Sequence, residues 1–317
     1  MSLLDRIFAE PELRDSPPVL VDVGAAGGLP RSWRRIARHA IGVGFEPDPR
    51  EAPAPDAARR QFARWIFCPG LAVPEAARDG RAPLHLTKSP QCSSTLRPAA
   101  DALGDWAFAE FFAVEATKEF PATTIAAALQ AQGIARVDWL KCDTQGLDLR
   151  LFRSLPAEWR TRTLAVEFEP GVIDAYAGED RLAEVLAAMA AEPFWLAEFR
   201  VNGTARGRAE LLDRHLGAGG AQRARRLAPV APGWVNLRYL RDVARTPEPL
   251  GRREFLLAWV FTSDSGQPAE ALKIATAGAA RFGGGLFDEM IAASARQLRW
   301  AMVRGLPAAI WRRLMRA

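Results

Sequence analysis

Val19-Leu-Val-Asp-Val-Gly-Ala-Ala-Gly-Gly28 runs from an apolar stretch directly into a glycine cluster. Four apolar residues around Asp22, with Pro18 before and Gly24 after, read as a buried strand, and Pro30 just beyond suits the first turn of a helix. Trp33, Ile36 and Ala37 continue at helical spacing, so a helix is expected there. A glycine turn between strand and helix lets backbone N–H groups approach a ligand closely at the helix N-terminus. Ile41-Gly-Val-Gly-Phe-Glu46 then reads as a second strand, stopped by Pro47. Its last residue, Glu46, stands twenty-two positions beyond Gly24, where an acid is placed to hydrogen-bond a ribose diol. The bland alternative is a tight turn followed by a surface glutamate.

Working outward, residues 19–200 alternate short apolar runs with helical patterns, the mark of an α/β sheet. Arg64–Phe67 is a third strand, and Leu84–Thr87 a short extra one. Thr123 and Thr124 offer a cap for a helix to Gln132, with Gly133 as its stop. Val137–Cys142 and Thr163–Glu167 are further strands, Gly178–Ala191 an amphipathic helix, and Phe194–Val201 and Trp234–Leu240 the last two strands. The segment between those two, rich in Gly and Arg, reads as a loop. Near Thr246-Pro-Glu-Pro249 the character changes, and Arg252–Thr262, Pro268–Arg281 and Leu286 onward all look helical. Two domains are expected: 1–245, and a helical C-terminal extension over 246–317.

The chain has 317 residues, of which 49% are hydrophobic and 25% charged. That composition excludes intrinsic disorder and a disulfide-stapled mini-protein. Only four of its 42 basic residues are lysine and the net charge is +5, a weak case for nucleic acid. Cys68, Cys92 and Cys142 form neither a disulfide framework nor a metal motif. The opening residues carry charge every few positions and lack the apolar core of a signal peptide, so a cytoplasmic location is expected.

Two further segments carry chemistry. Lys141-Cys-Asp-Thr-Gln-Gly146 ends the fourth main strand, and ligands of open parallel sheets sit at the carboxyl ends of strands. Asp143 would face cofactor or acceptor there; its alternative is a cap on the next helix. Glu167 and Glu169 end the following strand and would line the acceptor pocket or simply be solvated. Ser89-Pro-Gln-Cys-Ser-Ser-Thr95 is a hydroxyl-rich loop that would contact cofactor or acceptor, or else an ordinary turn. The glycine spacing from Gly24 lacks the G-x-G-x-x-G fingerprint, so a single-nucleoside ligand such as S-adenosylmethionine suits it better than NAD.

These segments, in this order, resemble FkbM-type methyltransferases. The likeness rests on Asp22-Val-Gly-Ala-Ala-Gly27, Phe45-Glu-Pro47, Ser93-Ser-Thr-Leu96, Thr124-Ile125, Lys141–Gly146 and Leu164-Ala-Val-Glu167, and covers about residues 17–200. The resemblance implies an α/β fold of the class I methyltransferase, Rossmann-like kind: a mostly parallel seven-stranded sheet, last strand antiparallel. It implies S-adenosylmethionine as cofactor and a hydroxyl of a sugar, glycan or secondary metabolite as acceptor. By position, Asp22, Gly24, Ala25 and Gly27 would form the cofactor loop. Glu46 and Pro47 would hold the ribose, Leu71 and Ala72 would border the adenine, and Ser94 would contact the cofactor. Asp143 would sit at the methyl-transfer site. Thr144-Gln145 departs from the family, which often has a hydrophobic residue and glutamate there.

A hydroxyl acceptor needs a base near the proton it loses. Asp143 is the first choice and Glu167 the second; His85, near the hydroxyl loop, is a third. A divalent cation held by Asp143 and Glu167 is a less favoured route. Acceptor specificity is expected from 88–120 and 201–232. The rival reading is a non-catalytic binding or scaffolding module with the methyltransferase fold. Residues 286–317 hold Phe287, Ile291, Ala295, Leu298 and Met302 on one face and several arginines elsewhere, with Gly305 and Pro307 suggesting a break. Such a helix can lie on an anionic membrane surface, or pack on its own domain with its arginines solvated.

Overall fold

In the computed structural model of the chain, β1 (Val19–Val23) is buried along its whole length. A strand with neighbours on both sides and layers on both faces is mostly apolar, and its one charge, Asp22, is paired with Lys141. The structure describes every residue except 27, 52–59, 228, 244, 247–249 and 315–317. Gly27 and part of the expected domain boundary near 245 lie outside the described residues. Two compact units are present, Pro18–Tyr239 and a second that joins Met1–Pro17 to Leu240–Ala317.

In the larger unit β2 (Ile41–Phe45) and β3 (Arg64–Cys68) follow β1, and then three strands leave the main sheet: β4 (Leu71–Ala72), β5 (Arg81–Thr87) and β6 (Val114–Thr123). The chain returns as β7 (Trp139–Cys142), β8 (Ala165–Phe168), β9 (Phe194–Thr204) and β10 (Ala231–Arg241). The main sheet has seven strands in the order β3-β2-β1-β7-β8-β10-β9. Pairings β3–β2, β2–β1, β1–β7 and β7–β8 are parallel. The sheet is mixed, because the bridge from Gly171, just past β8, to Trp234 in β10 is antiparallel. Strand order reverses between β1 and β7, which makes their carboxyl ends the crevice where open α/β sheets bind ligands.

The residues after β1 depart from the expected helix. They form two single 3-10 turns, Arg31–Trp33 and Ala37–His39. The apolar spacing still works, since Trp33, Ile36 and Ala37 are buried. Only the hydrogen bonds are tighter, such as Trp33 N–H to Pro30 O at 3.0 Å. Trp33 meets Trp139 edge-on at 6.1 Å, a pairing that adds roughly 0.5–1.5 kcal/mol beyond burial. The helix Ile125–Gln130 is capped as expected, with Thr124 Oγ1 accepting from Ala127 N–H at 3.1 Å.

Two other segments differ from their sequence reading. β6 pairs antiparallel with β5 and parallel with β4, making a separate three-stranded sheet. Its Glu115, Lys118 and Glu119 are exposed, and the consecutive charges at 118 and 119 fall on opposite faces, so the strand shows no apolar alternation. The Gly- and Arg-rich segment between β9 and β10 is a helix, Ala209–Leu227, interrupted at Gly217, whose φ is 65°. That break is what makes the segment read as a loop.

The smaller unit is helical: Leu3–Ala9, Pro11–Arg14, Arg252–Asp264, Pro268–Phe282 and Leu286–Leu314. The Glu254–Thr262 stretch is buried throughout, so Arg252–Asp264 is its central helix. Arg252 ties the two ends of the sequence together, pairing with Glu10 at 2.6 Å and Glu12 at 3.0 Å. Trp259 Nε1 donates to Ser294 Oγ at 2.9 Å. The break expected at Gly305–Pro307 is not seen; one helix spans Leu286–Leu314. No helix among the described residues is long and apolar enough to cross a membrane.

Candidate active site

A cavity of about 750 Å³ opens over the carboxyl ends of the main strands in the larger unit. At the β2 end it is lined by Phe45, Glu46, Pro47, Leu71 and Ala72. Gly24 and Asp143 lie at the centre, and Phe112, Ile173, Tyr176, Glu179 and Trp234 toward β8 and β10. From β2 to β10 is four strand steps, about 19 Å. The cavity is therefore long enough for two ligands side by side.

Asp143 owes its place to β1. Its N–H donates to Val23 O at 2.9 Å, locking the tip of β7 to the tip of β1. Gly24 completes the junction with a φ of 82°. A Cβ there would run into the Asp143 backbone carbonyl, so only glycine fits. Glu46 stands at the end of β2, 7% exposed, its Oε1 accepting from Asp48 N–H at 2.9 Å. Burial pushes Glu46 up to about 7 against the pull of that N–H group.

The second acid beside Asp143 is Glu169, one residue past β8. Burial first, then the charge of Asp143 and a hydrogen bond to it, push Glu169 up to about 9. The protonated Glu169 carboxyl is thus held as a hydrogen-bond donor toward Asp143. Asp148 positions both. Its Oδ1 accepts from Thr144 N–H at 3.0 Å and Oγ1 at 2.7 Å, and its Oδ2 from Glu169 N–H at 2.7 Å. One buried side chain therefore clamps the turns after β7 and after β8. Burial raises its own carboxyl to about 6, with those donors opposing.

Gln145 supports Asp143 from the other side. Its Nε2 donates to Asp143 Oδ1 at 2.8 Å, and its Oε1 accepts from the Tyr176 hydroxyl at 3.1 Å. Ser94 Oγ donates to Gln145 O at 2.8 Å. Gln145 holds a φ of 57°, the one positive-φ non-glycine residue among those described. L-residues pay strain for that region, and such strain gathers at functional sites. Thr95 Oγ1 also lines the cavity, buried and with no hydrogen-bond partner in the protein, an atom waiting for a ligand.

Of the residues expected from sequence, Gly24, Glu46, Pro47, Leu71, Ala72, Ser94 and Asp143 line the cavity. Ala25 is buried next to it without lining it. Three others stand elsewhere. His85 sits on β5, its Nδ1 2.9 Å from Thr117 Oγ1, away from the cavity lining. Asp22 and Glu167 belong to a row of alternating charge across one face of the sheet. Asp22 pairs with Lys141 at 2.7 Å, Lys141 is in register with Glu167, Glu167 pairs with Arg238 at 3.2 Å, and Arg238 with Glu198 at 2.9 Å. Glu167 Oε1 also accepts from Trp139 Nε1 at 2.9 Å. Burial pushes Asp22 up to about 6, opposed by Lys141. For Lys141 the neighbouring carboxylates outweigh burial and keep it charged. Asp22 and Glu167 thus hold five strands in line, one layer beneath the site.

Glu169 rather than Glu167 reaches the cavity because β8 ends at Phe168. A signal for this was present: Phe45-Glu46-Pro47 and Phe168-Glu169-Pro170 are the same tripeptide. In both, the glutamate clears the sheet edge and proline ends the strand. Asp148, Tyr176 and Glu179 carry no comparable signal. No group of three or more His, Cys, Asp or Glu among the described residues could hold a metal ion.

No curated protein and no solved structure matches the chain. One family does: the Methyltransferase FkbM domain matches residues 22–192, from the tip of β1 past the amphipathic helix Leu182–Ala190. That span includes Gly24, Glu46, Asp143, Gln145 and Glu169, and on this match over more than half of its length the chain belongs to the FkbM methyltransferase domain family.

Proposed function

We propose that the larger unit transfers a methyl group from S-adenosylmethionine to a hydroxyl oxygen of a sugar, glycan or secondary metabolite, in the cytoplasm. The observation that carries this reading is Asp143. It lies at the β1–β7 crossover, in the cavity, fixed by Gln145 on one oxygen and beside a protonated Glu169.

The residues fit that donor. The Gly24 turn leaves room for a ligand against backbone. Glu46 offers a fixed carboxylate for the two ribose hydroxyls, and Leu71 and Ala72 offer an apolar border for a purine. When bound, S-adenosylmethionine supplies an electrophilic methyl carbon on a sulfonium. The protein aligns the acceptor oxygen with that carbon, and alignment alone can supply roughly 7–11 kcal/mol. The Asp143 carboxylate would take the proton of the acceptor hydroxyl, and the methyl would leave the sulfonium as S-adenosylhomocysteine is released. Glu169, protonated, keeps a hydrogen bond on Asp143 and adds no second negative charge beside it. Gln145, positioned by Tyr176 and Ser94, keeps one Asp143 oxygen occupied so that the other is presented.

The test is turnover with S-adenosylmethionine and an extract or glycan library, read as S-adenosylhomocysteine release. D143A should abolish release while donor binding persists. Donor binding with no release from any acceptor pool would favour the binding-module reading instead.

We also propose that residues 286–317 contact an anionic membrane surface. In support, Trp300 is 66% exposed and Met302 59% exposed, beside Arg296, Arg299 and Arg304. Co-sedimentation with phosphatidylserine vesicles should be lost on removing 286–317; unchanged co-sedimentation contradicts the idea.

A further inference from the structure

The acceptor half of the cavity has a charge character of its own. Every charged side chain among the described residues that line the cavity is acidic: Glu46, Asp48, Glu51, Asp143, Glu169 and Glu179. Asp48 is matched by Arg50 at 2.7 Å. Glu179 is different. It accepts only from backbone, with Tyr176 N–H at 3.3 Å on Oε1, and it lies against Gly146 and Gly171. Arg181 and Asp174 near it pair with each other at 2.9 Å. Burial raises Glu179 to about 7, against those backbone donors.

Beside this carboxylate stands an aromatic wall. Phe108 and Phe112 are 5.2 Å apart, Phe108 meets Trp234 at 6.2 Å, and Phe112 meets Tyr176 at 5.5 Å. All four line the cavity. Aromatic faces attract cations through their quadrupoles and reject anions. A carboxylate with no ion pair to a base among the described residues, its neighbour Arg181 being paired with Asp174, set next to such faces, is a receptor for an ammonium group.

Resting on the methyltransferase reading above, we propose that the acceptor is an amine-bearing hydroxy compound, such as an amino sugar, whose ammonium is received by Glu179 and the Phe112–Tyr176 wall. A phosphorylated or carboxylated acceptor meets no cation among the described residues that line the cavity, and is repelled by Asp143 and Glu179. The Asp143–Gln145–Tyr176 hydrogen-bond chain ends one peptide N–H from Glu179. The ammonium is thereby held on the same frame as the base.

The test uses the full chain saturated with S-adenosylhomocysteine at pH 8, where Glu179 is ionised. Three probes are titrated calorimetrically: 4-nitrophenyl 6-amino-6-deoxyglucoside, whose primary amine is protonated at that pH, 4-nitrophenyl glucoside, and 4-nitrophenyl glucuronide. The amine should bind about tenfold tighter than the neutral sugar, and the glucuronide most weakly. E179Q should bring the amine to the level of the neutral sugar, and E179D should restore part of the preference. Glucuronide binding as tight as the amine, an amine preference that survives E179Q, or no binding of any of the three contradicts the proposal. The prior titration with S-adenosylhomocysteine separates the two readings. If that nucleoside does not bind, the methyltransferase reading itself fails; if it binds and the probe order is wrong, only the acceptor class fails.

Discussion

Glu169 stands beside Asp143, whose charge helps burial raise it, and that sets a pH profile. With Glu169 pushed to about 9, turnover should hold to that region and then fall as the second carboxyl ionises beside the first. In E169Q the alkaline fall should disappear, because a glutamine side chain cannot ionise; a fall that remains would show that another group governs it. Gln145 gives a second residue-level test. Replacing it with glycine relieves a left-handed backbone worth roughly 1–2 kcal/mol, offset by the flexibility glycine adds to the unfolded chain. Stability should stay within about 1 kcal/mol of the parent, while kcat falls because Asp143 loses its Nε2 donor and Tyr176 its acceptor. Thermal midpoint and steady-state rates measured together would show the two quantities move independently. At this scale the sequence makes the strand-end residues legible. Gly24, Glu46 and Asp143 sit at fixed places in a strand–turn pattern, and the structure brings them into one cavity. Glu167 was the wrong member of a nearby pair for the cavity, because a one-residue uncertainty in where a strand ends decides which acid clears the sheet. Asp148 was invisible. Its work is to accept from Thr144 and Glu169, and the second of those bonds joins two turns 21 residues apart.

At the scale of elements, the β1–β7 junction is the part that admits least change. Gly24→Ala combines a left-handed backbone cost of about 1–2 kcal/mol with a collision against the Asp143 carbonyl. It should lower the thermal midpoint and weaken donor binding together; full retention of both would contradict the junction described. The strands of the main sheet were readable because burial on both faces leaves a mostly apolar run, as in Val19–Val23 around Asp22. β6 was not, since Glu115, Lys118 and Glu119 point to solvent and its partner β5 is fixed by antiparallel pairing 30-odd residues away. The helix Ala209–Leu227 was hidden by glycines inside it. The charge row from Asp22 to Glu198 follows the same logic. Its five members come from five strands and meet only after the sheet forms.

At the scale of the whole molecule, three cavity carboxyls hold their protons more tightly folded than unfolded: Glu46 and Glu179 near 7, Glu169 near 9. For such groups the folded chain binds more protons, so the stability they contribute is complete below their unfolded values near 4.5 and is lost as pH rises through 7 to 9. The thermal midpoint of the ligand-free protein should therefore fall from pH 6 to pH 9, and E169Q should flatten part of that fall. A midpoint that rises over the same range would contradict these assignments. The most direct test of the site as a whole is calorimetric titration of the purified chain with S-adenosylhomocysteine, in parent and E46A forms. Saturable one-to-one binding by the parent, weakened at least tenfold by E46A, is the expected result. No binding by the parent, or binding of NAD in its place, would contradict the reading of the β1–β7 crevice as a nucleoside sulfonium site.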